Sequence, residues 1–476
     1  MIRGQTLKEY IKGLELGLSD LFLAIGFLFF IPFAAFSWKF MVTSDPSTIL
    51  FKGWMIITCF ILSASCWGIY FYLEIKKGNV KNNVFTWLFV FFAIMSLVSV
   101  LVQPTDSTAY VEAKFVNAIS EQYYPGIQVG DIVPVYRHIS VTHRLFFAFG
   151  SLLITTIFFI IFFVLPKRIK SFDFLLLVCL IIVGFIAVLT TYSYIAEGSH
   201  YIPFIQAIFK GDVEGIYASS VKSFVVHRVP YGACMMMGLL FAILGHQLTK
   251  HPLWIVFGVY CLINMVFSWC KTAIAISALI VALYLVYLLV ITYKDHKKRN
   301  KILSIIYGCI AGAALLVVLV SVISKGAVLP QIYNMFSSFT DSRTLQTRTY
   351  IWGNINQQLK GGWLIIGRGF GTHNYMLYPM NLVNGDDVCP SHSTYYAVLG
   401  AGGIINLLGF LGMYVYYGYI FVKCWKVDKF KTIGLAVGPF AFLLYSFTEG
   451  VNYLLLVFMF PLILYYYLSQ KEKAQA

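Results

Sequence analysis

Runs of about 20 apolar residues, enough to carry a helix across a hydrocarbon layer about 30 Å thick, recur along the whole of this chain. They fall at 18–37, 54–74, 84–102, 145–165, 173–194, 231–248, 253–269, 272–293, 302–324, 394–422, 432–447 and 450–469. The expected fold is all-α, a polytopic membrane bundle of about 12 transmembrane helices. With 59% hydrophobic and 12% charged residues and a mean hydropathy of +0.78, the chain carries more apolar surface than a soluble domain needs. The run starting at Leu18 follows a polar segment with Arg3, Lys8 and Lys12, and no A-x-A site follows it. It reads as a retained first helix rather than a cleaved signal peptide.

The net charge of +15 would suit a nucleic-acid binder, but the lysines and arginines cluster in short turns between apolar runs. That pattern orients membrane helices, with lipid headgroups rather than nucleic acid as the anionic partner. Basic groups at the N-terminus, Lys76/Lys77/Lys81, Lys167/Arg168/Lys170, Lys250, Lys294–Lys301, Lys423/Lys426/Lys429/Lys431 and the tail mark the cytoplasmic side. An even helix count then leaves both termini in the cytoplasm. Loops 38–53, 103–144 and 195–230 face outward from the first nine helices (1–324), 325–393 forms a large external loop, and 394–476 holds the last three helices and the tail. Loop 103–144, punctuated by Pro104, Pro125, Gly126, Gly130 and Pro134, is expected to fold as a small cap, and the alternation in VGDIVPVY suits a short strand. Cys59, Cys66, Cys179, Cys234, Cys261 and Cys309 sit in apolar runs, where Cys acts as a small hydrophobe. Cys270 and Cys389 look loop-borne, and their spacing fits neither a metal site nor a disulfide framework.

The longest hydrophilic interval, Ser342 to Gly412, organises the candidate chemistry. Arg343 and Arg348 open it, and Tyr350/Ile351, Asn354/Ile355 and Leu359 have the spacing of a helix lying along the membrane interface. Arg348 could bind a diphosphate through its planar fork or snorkel to headgroups, and Arg343 suits a solvated loop charge. His392, entering an apolar helix, is a candidate general base, because an imidazole can take a proton near neutral pH; His373 competes for the role. Arg228 precedes the sixth span, Lys271 opens the eighth, and Glu449 lies in the last outer turn. Each suits either a membrane boundary or the mouth of a cavity. The glycines around Arg368 in IIGRGFG lack the strand–helix setting and following Lys of a nucleotide loop. Asp386-Asp387 has no partners at metal-ligand spacing and suits a solvated turn.

Several of these segments, taken in order, resemble the O-antigen polymerase and O-antigen ligase superfamily of bacterial polysaccharide enzymes. They are HRVPYGACMMMGLL around Arg228, SWCKTAIAISAL around Lys271, the R-x-x-x-W helix (Arg348, Trp352), the G-R-G-F-G cluster, and His392-Ser393 leading to Gly400, Gly402 and Gly403. Glu449 falls where such proteins often carry an acid. The resemblance spans about 225–450; the first 200 residues share only topology. It implies a GT-C-like glycosyltransferase of the bacterial plasma membrane that needs no cofactor and no metal. Its donor would be an undecaprenyl-diphosphate-linked oligosaccharide, and a chain-length regulator and a flippase of the same pathway would be its partners. Carried over by position, Arg228, Arg348 and Lys271 would grip the diphosphate and His392 would activate the acceptor hydroxyl. Lys271 departs from the Arg usual there, keeping the charge without the bidentate fork.

Within that superfamily a polymerase extends one lipid-linked repeat with another, whereas a ligase transfers the glycan to lipid A-core or another acceptor. The polymerase is the favoured reading here. A secondary transporter would show related halves and polar residues near the midplane; neither is evident. A flippase for the same lipid-linked sugar would want charges along the middle of the bundle, and spans 145–165 and 302–324 carry none.

Overall fold

The computed structural model describes residues 17–42, 53–78, 106–112, 124–138, 201–220, 228–249, 251–327 and 392–448, most of 348–368, and isolated positions in 87–101, 329–333 and 462–466. The described chain is mostly helical. Among the described residues, four helices are long and apolar enough to cross a membrane, Ile57–Lys76, Lys271–Ile291, His296–Ile323 and Thr394–Trp425, as a membrane protein requires. Shorter apolar helices lie at Leu18–Phe30, Tyr231–His246, Leu253–Phe267 and Leu435–Phe447. The runs expected at 145–165 and 173–194 lie outside the described residues, and those at 84–102 and 450–469 are described only at scattered helical positions.

Among the described residues the helices, in chain order, are α1 (Leu18–Val42), α2 (Gly53–Lys76), α3 (Tyr201–Lys210), α4 (Val213–Ser219), α5 (Arg228–Thr249), α6 (Leu253–Phe267), α7 (Lys271–Ile291), α8 (His296–Ile323), α9 (Gly362–Ile366), α10 (Thr394–Trp425) and α11 (Lys429–Thr448). Strands β1 (Asp106–Glu112) and β2 (Ile132–His138) pair antiparallel, Asp106 opposite His138 and Glu112 opposite Ile132. The strand read from VGDIVPVY is β2, so part of loop 103–144 folds back on itself as a ribbon. β1 was not anticipated.

Two expected loops are partly helical. The basic run beginning at Lys294 turns into α8 at His296, because the Asp295 carboxylate accepts the Lys298 amide at 3.0 Å as an N-cap. That backbone bond, with the Lys298 ammonium also 3.0 Å away, holds the Asp295 carboxyl below its ordinary range. Loop 195–230 holds α3 and α4. Asp212 caps α4 by accepting the Gly215 amide at 2.9 Å, and the Asp212 amide in turn donates to the Ala207 carbonyl at 2.9 Å, folding α4 onto α3.

A buried asparagine ties this small unit to the bundle. Asn264, on the last turn of α6, accepts hydrogen bonds from the hydroxyls of Tyr201 (α3) and Tyr231 (α5), and donates to the Tyr260 carbonyl at 3.0 Å. An amide so placed satisfies its polar atoms locally, which burial demands. Phe204, Ala207 and Ile216 then pack with Trp269 in one apolar cluster.

Trp269 also sets the turn from α6 to α7. Its φ of 50° is left-handed, the conformation that ends a helix at the position usually given to glycine. The turn brings Cys270 to the N-cap of α7 and makes Lys271 that helix's first residue. Cys270, expected in a loop, is instead buried at 3% exposure, because α5 and α11 close over this turn. α7 has 21 residues and so rises about 31 Å, separating Lys271 from the basic Lys294–Lys301 turn by roughly the thickness of a hydrocarbon layer.

Trp269→Ala is expected to lower stability by about 3–5 kcal/mol through loss of the α3–α4 contact. Trp269→Gly should recover about 1 kcal/mol of that loss by relieving the left-handed backbone. Thermal unfolding of the two variants in detergent measures the difference, and equal melting temperatures would contradict the account of the turn.

Candidate functional site

The starts of α5 and α7 meet the last turns of α11. The Tyr445 hydroxyl of α11 donates to the Val229 carbonyl at 3.1 Å and lies 3.8 Å from the Cys270 sulfur. Val229 follows Arg228 and Cys270 precedes Lys271, so one buried hydroxyl links the backbone segments that carry two of the expected cations. The approach is close because position 232 has no side chain. A Cβ on Gly232 would stand 2.6 Å from the Cys270 Cβ and 3.2 Å from that of Ala273.

Aromatic contacts extend this end of the bundle to the other expected residues. Residues 348, 349, 351–353, 355, 356 and 358 are helical. Ile351, Ile355 and Leu359 form a buried stripe packed with Trp363, Tyr396 and Leu399. The amphipathic spacing therefore faces α9 and α10. Trp352 stacks on Tyr396 of α10, 4.9 Å between centroids and 3° between planes, and meets Phe447 of α11 edge-on at 6.3 Å. Tyr395 packs on Phe447 at 5.8 Å and donates to the Leu443 carbonyl at 3.3 Å. Arg348 lies four residues before Trp352, on the same face of the segment.

His392 stands just outside α10, where Ser393 is the N-cap. Its φ of 48° is left-handed, a conformation that histidine adopts more readily than most side chains. Arg228 is the first residue of α5, and its guanidinium lies over the Tyr217 ring, 4.3 Å from the centroid. Thus α5, α7 and α10 begin at the same end of the bundle, beside the end of α11, and add the partial positive charge of three helix starts to the side-chain cations.

Arg368 has a different setting. Its Nε and Nη2 donate to the Gln358 carbonyl at 3.2 and 3.1 Å, its Cζ lies over the Trp363 ring at 4.2 Å from the centroid, and its amide donates to the Gly400 carbonyl at 2.7 Å. Burial lowers its pKa from the ordinary value, which for arginine still leaves the cation intact at neutral pH. Arg368 thus clasps the 358–368 segment onto α10. The clasp sits on a break in that helix, where Gly402 (φ −131°) and Gly403 (φ 65°) leave helical geometry. A Cβ on Gly403 would fall 2.3 Å from the Ile365 carbonyl oxygen.

Of the residues expected to matter, Arg228, Lys271, Arg348 and His392 lie on segments gathered at this end, whereas Arg343, His373 and Glu449 lie outside the described residues. Tyr445 and Tyr217 were not anticipated. A hydroxyl four residues before Glu449 in an apolar helix was one available signal. The Asp212 cap before Val213, which announces α4, was another. Among the described residues, no three of His, Cys, Asp and Glu are grouped to hold a metal ion. Protein-family models, curated proteins and solved structures were compared with the chain, and none matches it.

Gly403→Ala would force a side chain into the left-handed region and against the Ile365 carbonyl, so it is expected to destabilise the protein by about 1–3 kcal/mol. Gly412→Ala, further along α10 with nothing within 4 Å of its Cβ, should be neutral or raise stability by up to about 1 kcal/mol. Detergent melting curves separate the two, and a neutral Gly403→Ala would refute the clasp.

Proposed function

We propose that this chain is a membrane glycosyltransferase that polymerises undecaprenyl-diphosphate-linked oligosaccharide repeats on the outer face of a bacterial plasma membrane. The products would be O-antigen, capsule or exopolysaccharide. In this reading the whole chain has about 12 transmembrane helices in a GT-C-like bundle with both termini cytoplasmic. The observation that carries it is the Tyr445 hydroxyl lying between the Val229 carbonyl and the Cys270 thiol. It draws together backbone that bears Arg228 and Lys271, at the end where the Arg348 segment and the start of α10 are also packed. Three cations, three helix starts and a histidine on segments gathered at one end of a membrane bundle suit a lipid-anchored diphosphate better than a neutral solute.

The reaction follows from those roles. An acceptor sugar hydroxyl attacks the anomeric carbon of the donor, and His392 takes its proton. The bond from that carbon to the diphosphate oxygen breaks, and undecaprenyl diphosphate leaves with the electron pair. Arg228, Arg348 and Lys271 stabilise the charge as it develops, an effect strengthened where water is excluded. A ligase would use the same donor chemistry with a terminal acceptor.

Glycan ladders in a deletion strain complemented with wild type, His392→Ala and Arg348→Ala test the proposal, with membrane levels checked for each. Wild type is expected to restore a ladder, and His392→Ala to lose about 10²–10⁴-fold in rate and leave single-repeat product. Arg348→Ala should give the same phenotype. All-or-none capping without a ladder would identify a ligase. Ladders from both variants like those of wild type would remove the two residues from the mechanism and reopen the transport readings.

A further inference from the structure

The cation of Arg228 is held by a helix that lies in an expected loop. α4 is fixed on three sides: Asp212 caps it, Ile216 is fully buried against Phe204, Ala207 and Trp269, and the Ser220 hydroxyl donates to the Tyr217 carbonyl at 2.8 Å. α3 beneath it is pinned to α6 and α5 through Asn264. Tyr217 is therefore a rigidly presented ring, and Arg228 lies 4.3 Å above its centroid. Among the described residues no carboxylate pairs with Arg228; the ion pairs there are Glu74–Lys77 and Asp295–Lys298.

We infer that Tyr217 is a positioning residue that holds Arg228 for the diphosphate, and that residues 201–220 are the arm that presents it. This rests on the proposed role of Arg228. A guanidinium lying over a ring can turn its flat face to that ring and keep its N–H edge for two phosphate oxygens. Fixing that plane beforehand lowers the entropy lost on binding, since an unstacked arginine must be ordered by the ligand itself. The ring supplies the stacking, so phenylalanine should serve nearly as well as tyrosine.

The test is binding of undecaprenyl diphosphate to the purified full chain in detergent, for wild type, Tyr217→Phe, Tyr217→Leu, Arg228→Ala and the Tyr217→Leu/Arg228→Ala double variant. Each is first checked for monodispersity and melting temperature. Tyr217→Phe is expected within about twofold of wild type and Tyr217→Leu about tenfold weaker. In the Arg228→Ala background Tyr217→Leu should have no further effect, because the two act as a coupled pair. A Tyr217→Leu protein that binds like wild type while Arg228→Ala is impaired overturns the inference and leaves the diphosphate reading standing. A Tyr217→Leu effect that persists without Arg228 overturns it as well, by making the ring's role structural. If Arg228→Ala binds like wild type, or wild type binds no undecaprenyl diphosphate, the reading beneath it fails.

Discussion

The closeness of α5 and α7 at the point where each begins is the constraint on which the rest of this molecule's site depends. It requires glycine at 232, since any Cβ there would meet the Cys270 Cβ at 2.6 Å, well inside ordinary van der Waals separation. It also needs a polar link to close the gap, which Tyr445 provides by donating to the Val229 carbonyl. The Tyr445 side chain is fully buried, and a buried hydroxyl without a partner is costly, so this bond favours one arrangement of α5, α7 and α11. The aromatic contacts among Trp352, Tyr395, Tyr396 and Phe447 then attach the Arg348 segment and the start of α10 to the same helix end.

A second constraint works from below. Asn264 and Trp269, five residues apart, have opposite tasks, one satisfying polar atoms and one filling apolar space. Together they anchor α3 and α4 to the turn that launches α7. The arm and the turn are thus one packed unit, and Arg228 stacks on its edge.

Much of this was legible in the sequence, and the limits are physical. Helix existence followed from apolar length: α1, α2 and α5–α8 lie within a few residues of their expected positions. Ends were misjudged where polar residues belong to helices, as with the basic first turns of α8 and the start of α5 at Arg228. Hydropathy scores composition and is blind to a cap such as Asp295. The spacing of Ile351, Ile355 and Leu359 suggested a helix along the membrane interface, and in the structure these residues pack against Trp363, Tyr396 and Leu399. Whether that face met lipid or protein depended on α10, whose break at Gly402–Gly403 no periodicity reveals. Tyr445 stayed hidden because its partner Val229 is distant along the chain, and Tyr217 because its contact with Arg228 depends on how α4 packs.

The most direct measurement is a cryo-electron-microscopy map of the full chain in a lipid nanodisc with undecaprenyl diphosphate. Diphosphate density is expected between the starts of α5 and α7 and the His392 turn, in contact with Arg228. Density at the opposite end, beside the Lys294–Lys301 turn, with Arg228 making no contact to it, would contradict the central claim.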